Sequence, residues 1–422
     1  MSSSELLDRA GRQAPEPPRG LWHHRDFRRL WAGQTVSLLG SRVTELALPV
    51  TAIVLLDAGP AQLGLLNSAQ YLPVLCVTLF AGVLADRVRR RPLLIAANLG
   101  RASILTAVPL LAWLGGLGVW ALCAVAFATG VLTALFDVAY QAYVPSLVAK
   151  EQLVEGNSKL QASRSVAETA GQGLGGTLIQ VLTAPVAILV DCLGYLFGAV
   201  MLLRIRTPET RPVRPDGARA SVRKEIAAGL RMTLHSRLLR VIMLHASLYN
   251  LLWDVVLVVF PLYGIRELHL GPAGLGVIIA VGSLGAFGGA LSAGRLGARL
   301  GVGRTMVLGM VVASASTLLL PLAPASGGGH LLLGAGYVLN GFGIAVFNIH
   351  SITLRQATVP AELIGRVSAT FRFLTWAVIP LGGLLGGLLA SAVGPRAALA
   401  VTAGGLTAAA LVFLCSRTAV RS

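Results

Sequence analysis

Long apolar stretches separated by short polar ones run along the whole chain. With a window of about 19 residues, apolar runs fall near 28–56, 61–85, 92–115, 117–143, 158–182 and 185–204. A second set falls near 238–264, 271–297, 304–324, 331–355, 364–391 and 395–416. Each run is long enough to cross a hydrocarbon layer of about 30 Å as a helix. Strands of a membrane barrel would instead alternate in segments of about 10 residues, and no such alternation is present. The pattern predicts an all-α membrane protein with twelve transmembrane helices, arranged as two six-helix pseudo-symmetric bundles. The expected organisation is a cytoplasmic tail at 1–26, an N-terminal bundle at 27–205, a linker at 206–236, a C-terminal bundle at 237–416 and a short cytoplasmic tail at 417–422. Within the linker, Val222, Ile226, Leu230 and Leu234 oppose Arg223, Lys224 and Arg231, the pattern of an amphipathic helix lying on the membrane surface.

Composition narrows the class. Of 422 residues, 55% are hydrophobic and 13% charged, about half the charged share of an average soluble domain, so a water-soluble globule is excluded. The net charge of +17 is not a nucleic-acid footprint. With both termini cytoplasmic, 29 of the 35 lysines and arginines fall in inside segments and only Arg266 and Arg396 lie outside. That asymmetry is the positive-inside rule. Residues 1–26 lack the apolar core of a secretory signal. Cys76, Cys123, Cys192 and Cys415 each lie alone in an apolar run, so neither a disulfide framework nor a metal site is indicated, and no cofactor is expected. Arginine outnumbers lysine 32 to 3, which suggests a GC-rich coding genome.

An internal repeat joins the halves. An offset of 212 residues places Pro49 on Pro261, Gly59-Pro60-Ala61 on Gly271-Pro272-Ala273, Leu63-Gly64 on Leu275-Gly276, Gly82 on Gly294 and Arg87 on Arg299. Further on, Gly175-Gly176 aligns with Gly382-Gly383 at an offset of 207. Two like halves in parallel topology describe a transporter whose site lies between them near the bilayer midplane.

Between the second and third runs stands Gly82-Val83-Leu84-Ala85-Asp86-Arg87-Val88-Arg89-Arg90-Arg91, with a degenerate echo at Gly294-Arg295-Leu296-Gly297-Ala298-Arg299-Leu300-Gly301. This resembles the GxLaDRxGRk loop of the major facilitator superfamily, departing from it at Arg89 and, in the echo, at Ala298. The resemblance implies a gating latch of Gly82, Asp86, Arg87 and Arg90, closed by Asp137. In physical terms an Asp at one helix end faces the positive N-terminus of a neighbour, while arginines pair with nearby acids. Gly171-Gln172-Gly173-Leu174-Gly175-Gly176 matches a dinucleotide-binding pattern only formally, because no strand precedes it. It resembles the GPxxGG element of the family's antiporters, with Gln172 in place of proline, and Pro380-Leu381-Gly382-Gly383 is read as its counterpart. Close helix packing by small residues explains both equally well. The segment from Pro145 through Glu151-Gln152-Leu153-Val154-Glu155-Gly156-Asn157 resembles the branch holding macrolide-efflux proteins and enterobactin-type exporters.

Ionisable residues inside a bilayer are costly and mark candidate sites. Arg42 and Asp254 both reach mid-membrane and are related by the 212-residue offset. They are candidates to pair, to share substrate and proton, or to form a structural salt bridge. Glu45, one turn from Arg42, suits a same-helix pair, as do Arg164 and Glu168 at i, i+4. Arg372 is placed either to bind an anionic substrate or to meet the latch, while Asp191 and Arg101 suit structural pairing. Gln70, Asn250, Asn348 and His350 are candidates to line a cavity. The expected function is a secondary active transporter of the bacterial cell membrane, not an enzyme, exporting a small and fairly hydrophobic molecule by alternating access with proton antiport. Its expected partners are the small-molecule substrate, protons and the lipid bilayer, and the resemblance implies a monomer. An importer or symporter of the same fold is the alternative, and a membrane scaffold a more distant one.

Overall fold

The computed structural model describes residues 21–85, 89–148, 152–209, 230–324, 328–360 and 363–415. Among them, a 3-10 turn at Leu21–His23 leads into twelve long helical segments. In the first half these are α1 (Arg25–Val50, continued by a π-helical turn at Thr51–Leu55), α2 (Pro60–Ala85), α3 (Arg90–Trp113), α4 (Val119–Leu147), α5 (Leu153–Leu182) and α6 (Ala184–Arg204). The second half has α7 (Arg237–Arg266), α8 (Pro272–Leu300), α9 (Val302–Ser316, with a short turn at Leu319–Leu322), α10 (Gly329–Thr358), α11 and α12 (Pro395–Cys415). Helix α11 is broken into Ile364–Trp376 and Ile379–Val393, and Pro380 stands just after the break, where a missing N–H costs nothing.

Ten of these helices are long and apolar enough to cross a membrane. Helix α5 is as long but carries Glu155, Lys159, Arg164 and Glu168 along its length. It begins at Leu153, about five residues before the apolar run suggests. The polar approach to the span, including Glu155 and Asn157, is therefore already helical: Glu155 pairs with Lys159 at 3.3 Å and accepts a hydrogen bond from the Leu21 amide.

Within the first half α1 packs on α5 and α6, α2 on α4, and α3 on α4 and α6; within the second, α8 packs on α10, α9 on α10 and α12, and α7 on α11 and α12. The halves meet along two seams, α2 against α11 and α5 against α8. One apolar core centres on α7, α9, α10 and α12, and another on α1, α3 and α6. Val258 and Leu262 of α7 belong to the second, so the two bundles share a strip of buried apolar surface.

Two acids secure the linker end of the first bundle. Asp26 accepts hydrogen bonds from the Arg206 and Thr207 amides and the Thr207 hydroxyl, at 3.0, 2.9 and 2.7 Å. Glu209 receives the backbone N–H groups of Arg90 and Arg91 and so caps α3 at its positive end. Asp86 and Arg87, and the linker residues from 210 to 229, lie outside the described residues; Leu230 and Leu234 fall in the helical stretch 230–235.

Candidate transport site between the bundles

The seams depend on glycine. A Cβ at Gly64 would stand 2.5 Å from the Gly383 carbonyl oxygen and 3.0 Å from the Gly387 Cα; one at Gly176 would stand 2.5 Å from the Pro272 carbonyl oxygen and 3.0 Å from the Gly276 Cα. Two backbones in such contact leave no room for any other residue, the usual logic of small residues at membrane helix crossings.

Deeper in, Gly171 packs against the Cβ of Arg42 and Gly382 against the Cβ of Asp254, while Gly175 meets the Cα of Val43 and Gly386 the Cα of Val255. These matching neighbourhoods correct one expectation. The glycines of α5 and α11 correspond at an offset of 211, pairing Gly171 with Gly382 and Gly176 with Gly387, one helical turn away from the 207 alignment. The relation of Arg42 to Asp254 as symmetry mates is retained.

These two residues do not pair with each other. Arg42 Nη1 donates to Glu45 Oε2 at 2.7 Å and Oε1 at 3.0 Å, and its Nη2 reaches Glu168 Oε1 at 3.4 Å. Arg164 Nε donates to the same Glu168 oxygen at 3.1 Å. Arg42 is 19% exposed and Glu168 41%, so this four-membered chain of charges on α1 and α5 is only partly buried. Asp137 of α4 lies within electrostatic reach of Arg164 and Arg101.

Asp254 is 3% exposed and takes its partner from the other bundle: Asn67 Nδ2 donates to its Oδ2 at 2.7 Å. Next to Asn67, Ser68 Oγ donates across the same seam to the Pro380 carbonyl at 2.7 Å. Tyr71, one turn further along α2, lies within electrostatic reach of Glu45, Asp254 and Arg42 and so links the two charged groups. At the turns α1–α2 and α7–α8, Arg266 Nη2 donates to Asp57 Oδ1 at 2.5 Å and to the Ala58 carbonyl at 3.1 Å. The seam glycines, Asn67, Asp254 and this ion pair together close one end of the molecule.

A cavity of about 480 Å³ lies within the second bundle, in the size range of small-molecule sites. Asn250 of α7, Asn348 and Arg355 of α10 and Arg372 and Trp376 of α11 help to line it. Two of the four polar residues expected to line a cavity, Asn250 and Asn348, are thus brought together beside Arg372, with Asn250 held by the Thr375 carbonyl at 2.8 Å. Gln70 and His350 stand apart from it. The Gln70 carbonyl lies where Gly130 of α4 passes, and His350 Nδ1 donates to the Val346 carbonyl. Arg101 is 4% exposed and lies between the rings of Phe136 and Tyr195 at 4.3 and 4.1 Å. Asp191 is buried at the α1–α6 contact, where Ser41 Oγ reaches its Oδ1 at 3.3 Å.

Asn67, Tyr71 and Arg355 were not singled out by sequence reasoning. For Asn67 and Tyr71 the available signal was polarity inside an apolar run. Arg355 counts as a loop charge by sequence but lies inside α10, its guanidinium over the Phe371 ring at 4.2 Å.

Two pseudo-symmetric helical bundles, seams of glycine, charges at mid-height and an internal cavity define a multi-pass membrane transporter for a small molecule. The chain belongs to the Major Facilitator Superfamily, whose profile matches residues 30–382. It is 24% identical over 378 residues to macrolide efflux protein A of Streptococcus pyogenes, covering 87% of this chain and 90% of that one. To the enterobactin exporter EntS of Citrobacter koseri it is 24% identical over 400 residues, covering 93% and 91%. In fold it is similar to the nucleoside transporter NupG, solved in a mutant form, with a TM-score of 0.75 and 12% identity over 92% of this chain and 99% of that one.

Proposed function

We propose that the protein is a monomeric exporter in the bacterial plasma membrane, carrying a small, fairly hydrophobic molecule of drug, antibiotic or siderophore-like kind outward in exchange for protons. With both termini cytoplasmic, the turns at Asp57 and Arg266 face outward. The molecule described above is then sealed on the outside, with the Arg355 and Arg372 cavity reaching toward the cytoplasmic helix ends. The observation that carries this reading is the Asn67–Asp254 hydrogen bond, which puts an ionisable group inside the outer seal itself. A carboxylate there has two states that bind the other bundle differently, so proton binding biases the equilibrium between closed and open. Arg42, Glu45 and Glu168 form the second charged group that substrate or proton meets from the cavity side. Asp86, Arg87, Arg90 and Asp137 are assigned to the cytoplasmic gate.

Efflux direction is supported by the names of the relatives, macrolide efflux protein A and an enterobactin exporter. The test is transport into inverted membrane vesicles of a panel of fluorescent drugs and macrolides under an imposed proton gradient. Accumulation that collapses with the gradient supports proton-coupled export; accumulation only in right-side-out vesicles supports an importer instead.

A further inference from the structure

We infer that the cavity of the second bundle is a receptor for an anionic group, a carboxylate or similar planar oxyanion on the transported molecule, held between Arg355 and Arg372. The charges of the first bundle answer one another. Arg42 and Arg164 are matched by Glu45 and Glu168, and Asp137 lies near Arg101 and Arg164. The second bundle is different. Its acids among the described residues are Asp254 and Glu267, and neither lines the cavity. Asp254 is turned to Asn67 at the seam, while Glu267 lies at the far end beside the Arg396 amide.

Both arginines line the same cavity, and among the described residues neither has a carboxylate within ion-pair distance. The Arg355 guanidinium carbon stands over the Phe371 ring, 4.2 Å from its centroid, and its buried Nε has no hydrogen-bond partner among the described residues. A guanidinium held over a ring by a cation–π contact keeps its N–H groups as hydrogen-bond donors. The guanidinium fork of N–H donors is the group that receives a carboxylate in bidentate fashion. Arg372 is exposed and adds a second positive charge. Asn348 and Ser351 supply neutral polar groups on the same wall, and Phe371 and Trp376 supply apolar surface for the rest of the molecule. Two arginines with no ion pair among the described residues, in a partly desolvated pocket, disfavour a cationic ligand as strongly as they favour an anionic one.

The inference rests on the transport reading for the identity of the cargo, but it is tested by binding alone, so its failure is separable from a failure of export or proton coupling. The experiment is a fluorescence-anisotropy titration of the full chain in lipid nanodiscs, with carboxyfluorescein as the anionic probe and rhodamine 123 as the cationic one. Carboxyfluorescein is expected to bind saturably and more tightly than rhodamine 123. R355Q and R372Q are each expected to weaken it at least about tenfold, the scale of one charge-assisted hydrogen bond, with rhodamine binding not weakened. Unliganded melting of both variants is recorded alongside. If R355Q does not fold, R372Q, at an exposed position, decides. Absence of saturable carboxyfluorescein binding, equal binding by the folded variants and the parent, or a preference for rhodamine 123 overturns the proposal.

Discussion

Asn67 of α2 and Asp254 of α7 are joined across the two bundles by a hydrogen bond of 2.7 Å, inside the buried seam that closes one end of the protein. A hydrogen bond to a charged group contributes about 1.5–3 kcal/mol. Asn67→Ala is therefore expected to shift the closed-to-open ratio of that end by about tenfold or more. Spin labels at Leu55 and His269, both exposed beside the seam, report it as a larger long-distance fraction in double electron–electron resonance. An unchanged distance distribution would show that the bond does not hold the seal.

Glycine at the seams predicts a sharper effect. Valine at Gly64 or Gly176 would place its Cβ 2.5 Å from a carbonyl oxygen of the facing helix, and a backbone oxygen cannot move aside as a side chain can. Either variant is expected to stay folded but lose the closed state, with the same labels showing a separated end and transport reduced at least about tenfold, since even a loss of about 1.4 kcal/mol has that effect.

Much of this arrangement was legible in the sequence. The twelve apolar runs and the 212-residue offset came from hydropathy and glycine-proline spacing, and the Arg42–Glu45 and Arg164–Glu168 pairs from helical periodicity. Contacts between helices were not legible in the same way. Nothing local says that Asn67 faces Asp254, because that depends on how two bundles dock. The glycine register failed for an instructive reason: Gly382, Gly383, Gly386 and Gly387 repeat with the helical turn, so an alignment slipped by four residues still pairs Gly175-Gly176 with two glycines, against three pairs in the true one. The pairing expected of Arg42 with Asp254 failed because each finds a nearer partner, Glu45 on its own helix and Asn67 across the seam.

Arg42 holds two glutamates at once, so its loss is expected to cost more than the loss of either. Glu45 and Glu168 are 36% and 41% exposed, which screens each pair toward the range of about 0–1 kcal/mol. Arg42→Gln should lower the melting temperature of the purified protein by more than Glu45→Gln or Glu168→Gln alone. The double variant Glu45→Gln with Glu168→Gln should fall short of the sum with Arg42→Gln, since all three remove the same network. Strict additivity would contradict a shared network.

Arg101 is expected to serve stability rather than substrate choice. Its guanidinium lies against two rings and donates to Asn98. Cation–π contacts of this kind are worth about 0.5–2 kcal/mol each, so Arg101→Leu is expected to lower the melting temperature by several degrees. The protein that does fold should have an unchanged substrate profile in the vesicle assay. A changed profile at parental stability would place Arg101 in the transport path.

The central claim is that Asp254 couples a proton to the opening of the outer seal, and Asp254→Asn tests it in one protein. Asparagine preserves the size of the side chain and can still face Asn67, but it no longer exchanges a proton. Using a substrate identified in the inverted-vesicle panel, the variant is expected to retain substrate–substrate counterflow, because the bundles can still rock, while losing accumulation driven by a proton gradient. Gradient-driven accumulation equal to that of the parent would contradict the claim and move the coupling step to Glu45 and Glu168.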